Sequence, residues 1–189
     1  RVLFRSCRSG RAPGPRSARG PRSQEKDIPP LFVIYRPLHD QGFDDLMYRM
    51  RTRHGTRLYA MKETAAAMVR DRDLLTATAF IADQTPHPDR AYWLTFLGQD
   101  TPVYFGTEST ARKFNYPVLY LSIRSEERGR HRISVETLVE DPSAMAVGEI
   151  TRLHTARLER DIRERPDLWL WTHRRWKHQR PADAAIRPS

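Results

Sequence analysis

Apolar residues change period several times along this chain, and the changes mark its elements. Leu31–Tyr35 is a short β-branched and aromatic run between Pro29-Pro30 and Pro37, which predicts a buried strand. Phe43–Arg53 then carries Phe43, Leu46, Met47 and Met50 at helical spacing, with Arg49, Arg51 and Arg53 off that stripe and Gly55 to end it. Arg57–Met61 reads as a second strand and Glu63–Arg70 as a helix rich in alanine. Leu74–Ala82 is continuous and apolar, as strands covered on both faces tend to be, so it is expected to be central. Thr107–Phe114 reads as a helix ended by Asn115, and Val118–Ile123 as a strand. His131–Leu138 alternates and suits a strand nearer an edge. Gly148–Arg165 keeps Ile150, Leu153, Leu158 and Ile162 on one face, can pair Glu159 with Arg163, and stops at Pro166.

Strands alternating with helices predict an α/β fold with a mostly parallel central sheet flanked by helices. Functional residues in such sheets gather past the carboxyl ends of strands. Arg36 occupies that place after the first strand, and Asp83 and Gln84 after the central one.

Bulk properties narrow the choice. A chain of 189 residues fits one domain with a real core. Its longest apolar stretch falls far short of the roughly 20 residues that span a bilayer. Cys7 is the only thiol, so no internal disulfide forms. The formal net charge of +10 invites a nucleic-acid partner. However, residues 1–26 hold eight Arg or Lys against one acid, which leaves the remainder nearly balanced and argues against nucleic acid. Residues 1–27 are expected to be a disordered or foreign basic segment, since Arg, Pro, Gly and Ser cannot offset their own ordering entropy. RVLFRS at Arg1–Ser6 resembles a translated sequencing adapter. The domain is then expected over 28–181, with 182–189 a tail.

Candidate chemistry follows from residue type. Pro37 biases Arg36 toward extended backbone, so its guanidinium offers a fork for phosphate or carboxylate; a surface salt bridge is the alternative. Asp83 directly follows a buried strand, where a carboxylate needs partners; it can position a hydroxyl, hold a basic residue or cap a turn at Thr85-Pro86. The segment PDLWLWTHRRWKHQRP, Pro166–Pro181, packs Trp169, Trp171 and Trp176 with His173, Arg174, Arg175, Lys177 and His178. Its cations suit a phosphate or an acidic partner, or else brace the core.

Three segments in order carry a family likeness: FVIYRPL at Phe32–Leu38, AFIADQTP at Ala79–Pro86 with YWLTFLGQDTPV at Tyr92–Val103, and the Trp/Arg tail. Together they resemble the late lipid A acyltransferases, a branch of the lysophospholipid acyltransferase superfamily, over roughly Ile28–Pro181. The resemblance implies transfer of a fatty acyl group from an acyl carrier protein thioester to a phosphate-bearing lipid acceptor. It places the work at the cytoplasmic face of the bacterial inner membrane, with the membrane surface as a partner and neither metal nor cofactor. It also implies that Arg36 belongs to a substrate-binding block and that Asp83 and Gln84 lie at the acceptor side; Arg174, Arg175 and Lys177 are candidates for acceptor phosphates or the acidic carrier, with bracing of the core through buried ion pairs as the equal alternative.

The family's catalytic pair is a His with an acid five residues later, upstream of the Tyr-Arg-Pro strand. His39–Asp44, His131–Glu136 and His154–Glu159 have that spacing here, at a frequency chance predicts. The first lies downstream of the strand, the second pair points to opposite faces of a strand, and the third is off a common helix face. None is expected to be catalytic. The chain is therefore expected to be N-terminally truncated, with an incomplete sheet, no anchor and no activity alone. Two other readings compete: an acyltransferase for another lipid (aminoacyl lipid or lysophospholipid), and a non-catalytic basic module binding membrane or nucleic acid.

Overall fold

The computed structural model describes residues 2–5 and 29–182, with side chains over the latter span. It divides into two compact units, one over Arg5–Ala79 and one comprising Arg1–Phe4 with Phe80–Ser189. The elements are β1 (Val2–Arg5), β2 (Leu31–Tyr35), α1 (Gln41–Thr52), β3 (Arg57–Ala60), α2 (Thr64–Arg70), β4 (Ala77–Phe80), β5 (Ala91–Phe96), β6 (Gln99–Tyr104), α3 (Gly106–Phe114), β7 (Val118–Glu127), β8 (Arg130–Val139) and α4 (Glu149–Glu164).

In the first unit β2 is central, with β3 and β4 parallel on its two sides. Parallel neighbours need a crossover, which α1 and α2 supply. Phe32 stacks on Tyr59 at 4.3 Å between centroids, and the Tyr59 hydroxyl donates to Asp71 at 2.8 Å. The expected strand Leu74–Ala82 is shorter than its apolar run: only Ala77–Phe80 pairs, and Leu74 and Leu75 are exposed in the turn after α2. Helix α1 forms where expected, with Asp40 capping it by accepting from the Phe43 N–H at 2.7 Å. No residue of α1 is buried. Periodicity defines an apolar face but not what covers it.

The second unit departs from the expected parallel sheet. β5 and β6 form an antiparallel hairpin, as do β7 and β8, and β1 pairs antiparallel with β7. Tight turns decide this. Leu97 and Gly98 both take positive φ, as a two-residue hairpin turn requires, and Gly129 does so between β7 and β8. So short a link can only fold the chain back on itself. The pairing of β1 uses Val-Leu-Phe, residues of good strand propensity, which says nothing about the segment's origin. The rest of the expected basic segment, and the tail beyond Ala182, lie outside the described residues.

Ala111, Val118, Val139 and Ile150 form this unit's core, and α4 presents Ile150, His154 and Ile162 to it much as its period predicts. One buried charge fixes α4. Glu108 of α3 is fully buried and accepts from the Gly148 N–H (2.5 Å), the Thr151 N–H (2.9 Å) and the Thr151 hydroxyl (2.6 Å). A carboxylate there satisfies donors that a helix start leaves open and complements its dipole. Replacing Glu108 by Ala strands these donors at about 1–3 kcal/mol each, so urea unfolding should show a loss of about 3 kcal/mol or more. Glu108→Gln keeps an acceptor oxygen and should lose less; equal losses would contradict this role.

Candidate active site

Two segments meet on the second unit. One is the loop after β4, where Ala82 is buried, Asp83 half-buried and Gln84 exposed. The other is the chain leaving α4, which Pro166 releases from the helix into a short 3-10 turn. That chain wraps around Phe96, itself 1 % exposed. The Trp169 and Trp176 rings lie 6.1 and 6.4 Å from its centroid, and the Arg175 guanidinium 5.9 Å.

Arg175 is the inward anchor, with 3 % of its surface exposed. Its Nη1 donates to the Pro102 carbonyl at 2.7 Å and to Thr85 Oγ1 at 3.2 Å, and the Thr85 hydroxyl donates back to the Arg175 carbonyl at 2.9 Å. Trp176 Nε1 donates to Thr101 Oγ1 at 2.8 Å. Burial pushes the Arg175 guanidinium down to about 10, while the Asp83 carboxylate acts in the opposite sense. Arg174 and Lys177, on either side, are exposed and make no ion pair among the described residues. The basic cluster therefore splits: Arg175 braces the tail, and Arg174 and Lys177 remain available to a ligand. Trp171 is mostly exposed, and its indole N–H donates to the Pro166 carbonyl.

A cavity of about 210 Å³ opens between these segments, β7 and α4. Leu121, Ile123, Leu158, Leu168, Trp169 and Leu170 give it apolar walls. Asp83, Gln84 and His173 bring polar groups to it. The Asp83 Oδ1 is buried and has no hydrogen-bond partner. The lining cations are already engaged: Arg124 with Asp161 and Glu164, and Arg165 with Asp167. The cavity thus offers acceptors and apolar surface but no free cation. Arg36 stands in the other unit, exposed after β2 and free of ion pairs among the described residues.

None of the three spaced His–acid couples forms a pair. Asp44 instead accepts from the Leu38 N–H at 2.9 Å. Glu136 holds Arg157, and His131 is exposed on β8. Glu159 accepts from the Leu97 N–H at 3.1 Å and pairs with Arg163, while His154 lies in the core with its Nε2 unpartnered. Sequence reasoning passed over His173, the one described histidine lining the cavity that holds Asp83. It has no acid five residues on, and only folding of the tail brings it there.

Residues 25–178 match the family model described as bacterial lipid A biosynthesis acyltransferase. That covers most of the chain, which therefore belongs to this family of acyltransferases. No curated protein matches the chain.

Burial pushes the His154 imidazole from its ordinary range down to about 3. Between that value and about 6.5 the unfolded chain binds a proton that the folded chain does not, so stability falls as pH drops through this window. Urea unfolding at successive pH values from about 6.5 to 5 should show a slope approaching 1.4 kcal/mol per pH unit. The slope should flatten in His154→Leu; an unchanged slope would remove the assignment. The Glu159 and Asp71 carboxylates, lowered chiefly by hydrogen bonds from arginine, lose their contributions at lower pH and leave this window clear.

Proposed function

We propose that this chain carries the substrate-gripping part of an acyltransferase of the lipid A type. It moves a fatty acyl group from an acyl carrier protein thioester to a phosphate-bearing lipid at the cytoplasmic face of the bacterial inner membrane. The family match over residues 25–178 is the observation that carries this reading. The free Arg36 guanidinium suits a phosphate or carboxylate, and the exposed Arg174 and Lys177 suit the acceptor or the acidic carrier. The apolar-walled cavity suits the lipid's less polar portion, with Asp83 and Gln84 toward its hydroxyl. Asp83 also holds a charge beside Arg175, which orients the tail.

In the reaction an acceptor oxygen attacks the thioester carbonyl. A C–O bond forms, the C–S bond breaks, the acceptor proton passes to a base and the sulfur leaves as thiol. In this reading none of the three spaced His–acid couples among the described residues serves as that base, and no turnover is expected of the chain alone. An assay with acyl carrier protein thioester and a phosphorylated lipid acceptor tests this, and turnover would refute it. His173 gives that outcome a specific meaning: turnover abolished by His173→Ala would assign the base to the cavity.

Substrate grip is tested apart from turnover. Loss of a charge-assisted contact costs about 1.5–3 kcal/mol, so Arg36→Ala should weaken binding of the phosphorylated lipid at least tenfold. Arg36 is exposed and makes no ion pair among the described residues, so the variant's fold should be unchanged; equal affinity would remove Arg36 from the binding set.

A further inference from the structure

Helix α1 is amphipathic, and its apolar side is uncovered. Phe43, Leu46 and Met50 are 55 %, 58 % and 58 % exposed, and Leu38 just ahead of the helix is also exposed. Tyr48 meets Tyr35 of β2 edge-on at 6.4 Å. Helical spacing puts Tyr48 opposite the Phe43–Leu46–Met50 stripe, so the stripe points away from the sheet. A helix of this length that buries nothing is marginal in water.

Charge says what the face fits. Arg49 and Arg53 run along one flank of the stripe and Arg51 along the other, and none makes an ion pair among the described residues. The acids avoid the stripe: Asp40 caps the helix, Asp44 accepts from the Leu38 N–H, and Asp45 lies on the far side. An apolar stripe with arginines on both flanks matches a plane that is apolar within and anionic at its skin.

We propose that α1 lies flat on an anionic lipid bilayer, with Phe43, Leu46 and Met50 in the headgroup–acyl boundary and Arg49, Arg51 and Arg53 on lipid phosphates. This rests on the reading of a membrane-held acceptor and names the surface that brings the chain to it. No described helix is long and apolar enough to cross a membrane, so α1 lies on the bilayer rather than spanning it. A second copy fits less well, because stripe-to-stripe pairing brings the arginine flanks together. An acidic protein would satisfy the arginines but does not need a flat stripe of flexible Leu and Met side chains.

Co-sedimentation of the full chain with phosphatidylcholine vesicles, with and without phosphatidylglycerol, tests this at low and high salt. Binding should favour the anionic vesicles and weaken with salt. Joint Arg49→Ser, Arg51→Ser and Arg53→Ser should lower partitioning on the order of a hundredfold. Phe43→Ser with Leu46→Ser should lower it about tenfold or more. Neither set should shift the melting temperature, since α1 buries no residue. Vesicle binding is read without turnover, so a failed transfer assay leaves this result intact, and the reverse holds. Equal partitioning of wild type and variants would overturn the proposal. So would an α1-dependent dimer that forms with rising concentration, or α1-dependent capture of acidic carrier protein without vesicle binding.

Discussion

The second unit depends on burying the Glu108 carboxylate at the start of α4. A buried anion is tolerated only where donors surround it, and here three donors from Gly148 and Thr151 converge. The geometry also dictates Gly148: its φ of 88° is left-handed, and a Cβ there would collide with the Tyr92 ring. With its start fixed, α4 lays Asp161 under the Tyr120 hydroxyl at 2.9 Å and Glu159 against the Leu97 N–H of the β5–β6 turn. Its Leu158, Asp161 and Ile162 become one wall of the cavity. The same helix aims the chain beyond Pro166 at Phe96. One buried charge thereby sets both the wall and the direction of the tail.

Arg175 then closes the tail, and its identity as arginine matters. Lysine would bring a compact ammonium where a planar fork now reaches the Pro102 carbonyl and Thr85 while its face lies over Phe96. Burying the guanidinium is unfavourable, as its lowered proton affinity shows, and nearby Asp83 offsets part of that cost. Asp83 thus sets its charge beside Arg175, while its Oδ1 is buried without a hydrogen-bond partner.

Much of this was legible in the sequence. Runs and periods located the four α-helices among the described residues, with α1 at Gln41–Thr52 and α4 at Glu149–Glu164. Asn115 ends α3 in the left-handed conformation expected of such a stop. The hairpins were not read, because Leu97-Gly98 and Arg128-Gly129 are turn signals only when backbone conformation is considered with composition. Leu74 and Leu75 extended the apolar run beyond the strand that pairs. The spacing on α1 defined an apolar face without saying what covers it, because periodicity cannot tell a protein neighbour from any other apolar medium. Arg174, Arg175 and Lys177 looked alike as a cluster; a residue's direction in irregular chain has no period to betray it.

The distribution of unpaired charge bears most directly on the proposed chemistry. Cations that line the cavity are neutralised within the chain, whereas those at Arg36, Arg174, Lys177 and along α1 are open to solvent. A free cation in an apolar-walled cavity would hold an anion tightly and lower the local pKa of nearby acids. Cations at the water-facing surface instead meet phosphates without the full penalty of desolvation and gain from long-range attraction to an anionic membrane.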